Sequence, residues 1–164
     1  MSTANEAHFV KDPSGKKLFV TRKFNAPLAK VWPAWTTAEL LDKWWAPKPW
    51  KAETKSMNFT PGGAWYYSMV SPQNERHHNK VSFHTIEPGK SFSSSAIFCN
   101  ENGEPTDGFP VMHWQVEFTK AGNTTEVNIA VSCDTEAGLQ QMIQMGFQGG
   151  FTMGLNNLDE LLGE

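Results

Sequence analysis

The sequence predicts an α+β fold: an antiparallel meander of about six or seven strands, two short helices after the first strand, and one long helix at the C-terminus. Three observations predict it. Turn signals recur at about ten-residue spacing through the middle of the chain, the mark of consecutive hairpins. From Thr135 the apolar period changes from alternation to the period of a helix. Between Ala26 and Trp45 two apolar stripes at helical spacing interrupt an otherwise strand-like sequence.

Taken in order, residues 1–14 carry no sustained pattern and are expected to form a flexible arm, leaving 15–164 as a single domain. KKLFVTRKF at 16–24 reads as the first strand, rich in β-branched and aromatic residues. Ala26-Pro27 opens a helix, with Leu28, Val31, Trp32 and Trp35 on one stripe. Pro33 lacks the amide that an interior position needs, so this helix is expected to be short or kinked. Thr36-Thr37-Ala38-Glu39 has the S/T-x-x-E form of a capping box and starts a second short helix. That helix carries Leu40, Leu41, Trp44 and Trp45 and stops at Ala46-Pro47-Lys48-Pro49.

Strand-like runs follow at 50–60, 63–70, 79–87, 90–99, 110–120 and 124–133. They are separated by Pro61-Gly62-Gly63, Ser71-Pro72-Gln73-Asn74, Pro88-Gly89, a long break from Asn100 through Phe109, and Ala121-Gly122-Asn123. The last segment places Leu139, Ile143, Phe147, Gly150, Gly154, Leu158 and Leu161 on one face of a single helix of about 26 residues. Four glycines inside such a helix would cost roughly 3–4 kcal/mol. Gly146, Gly150 and Gly154, spaced by four, cut a smooth groove that suits either close backbone packing or room for a ligand.

Composition excludes several classes. At 164 residues, about 70% of the unfolded surface can be buried, so no disulfide or metal staple is required. A net charge of −3 without a Lys/Arg cluster gives no footprint for nucleic acid. There is no apolar run long enough to span a membrane and no secretory h-region at the N-terminus. Cys99 and Cys133 lack metal spacing and read as reduced apolar side chains, consistent with a cytoplasmic protein. The histidines show no H-x-H or H-x-x-x-H spacing, so no metal site is expected. G-x-S-x-G, Walker and dinucleotide motifs are absent, and neither a catalytic residue nor a cofactor is assigned.

Six of the seven tryptophans fall between Trp32 and Trp65, which builds either an aromatic core or the wall of an apolar pocket. Within this stretch and beyond it, a set of residues resembles a known family. The set is Ala26-Pro27, Val31-Trp32, Ala34-Trp35-Thr36, Glu39-Leu40, Trp44-Trp45-Ala46-Pro47, Pro61-Gly62-Gly63 with Trp65, Tyr67 and Met69, Ile86-Glu87-Pro88, and Gly146-Phe147 with Leu155 and Leu158 to Leu162. The chain resembles the START-like (SRPBCC) superfamily, and within it the AHSA-type domain of activators of heat-shock-protein ATPase. It departs at Pro33, at Asn58-Phe59-Thr60, and at Gln73-Asn74-Glu75, where a Gly-rich turn is more usual. The resemblance implies a helix-grip fold, a curved sheet wrapped around the C-terminal helix with a lipid-binding-like cavity between them. It also implies three roles: binding of a small hydrophobic or aromatic ligand, a cochaperone-like stress-response module with a chaperone partner, or a cyclase- or dehydratase-type enzyme using a cavity histidine.

Strand parity places the candidates. Trp65, Tyr67 and Met69 share the more apolar face of their strand, as do Met112, Trp114, Val116 and Phe118 of theirs, with His113, Gln115 and Glu117 opposite. The expected ligand-binding set is Trp44, Trp45, Trp65, Tyr67, Met69, His84, Phe98, Trp114, Gln115 and Phe147, with His84 and Gln115 as polar orienters. Binding without catalysis is the leading expectation. An unpaired edge strand leaves a homodimer open.

Overall fold

The computed structural model describes residues 7–163. Eight strands form one antiparallel sheet: β1 His8–Lys11, β2 Lys17–Phe24, β3 Lys51–Met57, β4 Ala64–Val70, β5 Arg76–Glu87, β6 Ser91–Cys99, β7 Met112–Ala121 and β8 Thr124–Ser132. Their spatial order is β1-β2-β8-β7-β6-β5-β4-β3. From β3 to β8 every sequential pair is a hairpin, as the turn spacing predicts. The chain crosses from β2 to the far edge through α1 Leu28–Thr36 and α2 Ala38–Trp44. It ends in α3 Glu136–Gln144 and α4 Phe147–Leu162. Bulges at Thr54/Ser56 and Phe83/Thr85 locally bend and twist the sheet. Together sheet and C-terminal helix make the helix-grip architecture. No helix among the described residues is long and apolar enough to cross a membrane.

Four local expectations are corrected. The segment 1–14 is not all arm: His8–Lys11 pairs with β2, and Phe9 packs on the core, while residues 1–6 lie outside the described residues. β5 starts at Arg76, three residues earlier than the sequence suggests, because His77, His78 and Asn79 continue the ladder with β4. The capping box does not form. Thr36 and Thr37 turn their hydroxyls back to the Trp32 and Pro33 carbonyls, 2.9 and 2.8 Å away, so Thr37 caps α2 without a side-chain bond. The long C-terminal helix is two helices. Gly146 takes φ +92° after Met145, a left-handed conformation that ends α3 and starts α4. Its glycine cost therefore belongs to a turn, where glycine is favoured. The hairpin turn lacking glycine is served by Asn74 at φ 66°.

The core lies between the sheet's concave face and the helices. β2 turns Leu18, Val20 and Phe24 inward and β8 turns Val127, Ile129 and Val131 inward, against Leu155 and Leu158 of α4. Arg22 is buried on the same face, 2.9 Å from Asn156 Oδ1 and 3.7 Å from Asp159 Oδ2, which ties β2 to α4. Gly154 lets α4 approach α2: a Cβ there would sit 3.2 Å from the Trp45 carbonyl oxygen. Beside it, buried Asn157 donates to the Trp44 and Ala46 carbonyls at 3.4 and 3.1 Å, capping the end of α2. Asn157→Leu strands those acceptors in an apolar site. We expect it to cost about 1–3 kcal/mol in urea unfolding with an unchanged slope.

Candidate functional site

A cavity of about 340 Å³ lies between the middle of the sheet and the α3–α4 junction. Its floor is the inward face of β4 to β7. The inward side chains there are Trp65, Tyr67 and Met69, then Asn79, Val81 and Phe83, then Phe92, Ser94, Ala96 and Phe98, then Met112, Trp114 and Val116. Its roof is Met142, Met145, Gly146, Phe147, Gly150 and Phe151. Trp35, Leu41, Trp45, Pro47 and Trp50 close the α2 side. The mouth lies where exposed Met145 and His77 meet half-buried Trp50, Phe98 and Pro110. Phe109, in the long loop before β7, leans on Phe98 at 4.8 Å, and Gln141 of α3 holds the same loop through the Gly108 carbonyl.

Trp45 is the hub of the aromatic wall. Its ring meets Trp35, Trp44, Trp65, Trp114 and Phe151 at centroid distances of 5.2–6.2 Å, mostly edge to face. Its Nε1–H donates to Tyr67 Oη at 2.8 Å. Trp65 stacks on Tyr67 at 4.1 Å and is oriented by a relay: Trp65 Nε1 donates to Thr54 Oγ1, whose hydroxyl donates to Asp42. The ring positions are thus set by hydrogen bonds as well as by packing.

Few polar atoms reach this space. Burial raises the Tyr67 phenol above its ordinary value of 10, so it remains protonated. The Tyr67 oxygen already accepts from Trp45, and its own proton has no acceptor among the described residues. Ser94 is a buried residue whose hydroxyl likewise has no partner among them. Asn79, opposite Tyr67 across the β4–β5 pair, uses its amide on the His77 carbonyl and keeps its oxygen free. Among the described residues no lysine or arginine lines the cavity. The cavity can therefore hold an apolar body and satisfy one or two polar atoms; an uncompensated charge would be costly there.

Of the ten residues expected at a ligand site, Trp45, Trp65, Tyr67, Met69, Phe98, Trp114 and Phe147 line the cavity. Trp44 does not. It lies beneath the wall, fully buried, with Nε1 donating to the Ala34 carbonyl at 2.8 Å. Trp35, on the apolar stripe of the first helix and outside the expected set, is on the wall. His84 and Gln115 are on the opposite, convex face of the sheet, because their neighbours Phe83 and Trp114 face inward. The cavity histidine required by an enzymatic reading is thus not His84; the histidine at the mouth is His77, its ring 5.3 Å from Trp50. Sequence reasoning also missed Trp50, Asn79 and Ser94. Alternation from Phe92 and from Val81 would have found the last two.

Cys99 and Cys133 are free thiols whose ionisation burial opposes, so neither offers a thiolate. Among the described residues no three His, Cys, Asp or Glu side chains cluster as metal ligands do.

Similarity to known proteins extends over almost the whole chain. A solution structure of a protein from Arthrobacter aurescens superposes with TM-score 0.90 at 28% identity, covering 95% of this chain and 91% of that one. A crystal structure from Mycobacterium smegmatis gives 0.86 at 26%, covering 94% and 95%. One from Nitrosomonas europaea gives 0.80 at 26%, covering 93% and 97%. No curated protein matches. Residues 25–163 match the family described as "Activator of Hsp90 ATPase homolog 1-like protein". That span takes in both short helices, the sheet from β3 onward and both C-terminal helices, and the chain belongs to this family.

Proposed function

We propose that the protein binds a small, flat, uncharged molecule with an aromatic or otherwise apolar body and one hydrogen-bond acceptor. The observation that carries this reading is the cavity itself: about 340 Å³ walled by indole and phenyl rings, with the Tyr67 hydroxyl as an unused donor inside. Pockets of about 300–1,000 Å³ with an apolar lining and a few polar orienters are the usual form of a small-molecule site. Trp45, Trp65, Trp114 and Phe147 serve as walls, Met69 and Phe98 as the adaptable side toward the mouth, and Tyr67 as the orienting donor.

The test is titration of tryptophan fluorescence with uncharged flavonoids and aromatic ketones against matched carboxylates and fatty acids. Saturable quenching by the neutral acceptors, weaker by the carboxylates, is the expected result. A flat response across the panel sinks the proposal. Tyr67→Phe should weaken the acceptor-bearing ligands about tenfold while leaving acceptor-free analogues unchanged, because one neutral hydrogen bond is worth about 0.5–1.5 kcal/mol. Equal loss for both groups would mean that Tyr67 acts by packing alone.

The family description also supports a second reading, a cochaperone-like interaction. Stimulation of a chaperone ATPase by the purified chain tests it separately. That stimulation should be insensitive to cavity ligands if the two roles use different surfaces.

A further inference from the structure

The convex face of the sheet carries a hydrogen-bonded chain that the cavity does not use. Ser95 Oγ, on β6, is 2.7 Å from His84 Nε2 on β5 and 2.9 Å from His113 Nδ1 on β7. His113 Nε2 is in turn 3.1 Å from Asp134 Oδ1, just beyond β8. Three of the four residues lie on the neighbouring strands β5, β6 and β7, and the chain borders a shallow groove of about 480 Å³. Lys17, Ser93, Gln115 and Ser132 also line that groove.

Proton bookkeeping gives the chain a direction. Asp134 accepts, so in the neutral imidazole His113 carries its proton on Nε2 and leaves Nδ1 bare. Ser95 then donates its hydroxyl proton to Nδ1, and its oxygen accepts from His84 Nε2–H. His84 reaches this position through the β5 bulge, where it is the extra residue between Phe83 and Thr85. A hydroxyl bonded to a bare imidazole nitrogen, with the other nitrogen held by a carboxylate, is the arrangement that activates a nucleophile. The use of Nδ1 as base and Nε2 as anchor reverses the usual assignment without changing the roles.

We propose that Ser95, His113 and Asp134 form a nucleophilic site on the outer face of the sheet that accepts small activated acyl esters. As Ser95 Oγ adds to the carbonyl carbon, its proton passes to His113 Nδ1. The bond to the leaving oxygen breaks, and that oxygen takes the proton back, leaving an acyl-serine and an alcohol. Water, deprotonated by the same nitrogen, then releases the carboxylic acid and restores Ser95. Gln115, diagonal to Ser95 across the β6–β7 pair, lines the groove and is the side chain placed to donate to the oxyanion. Backbone amides of the strands are engaged in the sheet, so turnover is slow and confined to esters with good leaving groups. Asp134 is 80% exposed and His113 42%, so water competes for the anchor.

The experiment uses the full chain with p-nitrophenyl acetate, reading nitrophenolate release and mapping the acetyl group by mass spectrometry of peptides. An acetyl group on Ser95 is expected. Ser95→Ala should remove it, and His113→Gln should lower acylation at least about 100-fold. Asp134→Asn should lower it about tenfold, less than a buried anchor would. Glu117→Gln, on the same strand and face as His113, should leave it unchanged. Thermal melts of each variant matching the parent establish that the fold is retained. Absence of label on Ser95, label confined to lysines or other histidines, or acylation of Ser95 that persists at the parent rate in His113→Gln overturns the proposal.

Discussion

Replacing Trp44 with alanine is expected to cost about 3–5 kcal/mol of stability, the most of any single tryptophan in the cluster. Only 1% of this side chain is exposed. It fills the space between α1, α2 and α4, edge to face with Trp35 at 4.8 Å and Trp45 at 5.2 Å. Truncation removes three things together: the buried ring, two aromatic contacts, and the Nε1–H that satisfies the Ala34 carbonyl. That oxygen is then an unpaired acceptor in an apolar site. For a domain of this length the loss corresponds to a fall in Tm of roughly 6–20 °C. Chemical unfolding gives the direct measurement, with the midpoint moving and the slope held. Trp50→Ala is the matched control. Trp50 is only half-buried at the mouth, so its loss should cost no more than about 1 kcal/mol. Equal costs for the two would mean that Trp44 is not the keystone of the helical layer.

Gly150→Leu is expected to act in opposite directions on stability and on binding. Gly150 lies in the interior of α4 and on the cavity roof. A Cβ there would meet only Pro47 Cγ, at 3.9 Å, so a side chain has room to grow into the cavity. Loss of the helix-interior glycine is worth about 1 kcal/mol, and the leucine buries apolar surface in space that is otherwise unfilled. Stability should therefore rise by about 1–2 kcal/mol, while ligands that quench tryptophan fluorescence should bind about 10–100-fold more weakly, because the added volume must be accommodated at their expense. A variant that is more stable and binds as before would move the ligand away from the roof of this cavity. Gly154→Leu should do the reverse of the stability effect, since its Cβ would be pressed against the Trp45 carbonyl.

Much of the architecture was legible because the chain is locally consistent. Hairpin turns punctuate β3 to β8 within two or three residues of their observed ends, and strand alternation places Trp65, Tyr67, Met69 and Trp114 on the inward face. The misreadings have specific causes. Arg76, His77 and His78 look like loop because they are polar, yet they lie on the ladder where the sheet meets solvent and the cavity mouth. The α3–α4 break is invisible to periodicity, since apolar residues on both sides of Gly146 pack on the same core. Helical spacing puts Trp35 and Trp44 on stripes but does not give depth; the hydrogen bond to Ala34 and the course of α2 decide which is wall and which is core. For His84 and Gln115 the information was present. Phe83 and Trp114 face inward, so adjacent residues on those strands face out. The Ser95–His113–Asp134 chain joins three separate segments, and no local pattern announces it.

The ring contacts around Trp45 have an optical consequence. Trp35, Trp44, Trp65 and Trp114 all stand within 6.2 Å of its indole, and Trp35 and Trp44 touch each other. At such spacings excitation migrates between indoles faster than any of them emits, so light absorbed by five of the seven tryptophans is shared. A molecule that quenches Trp45 alone drains the common pool. The emission of this protein thus behaves as that of one distributed antenna, whose most sensitive point lies on the wall of the cavity.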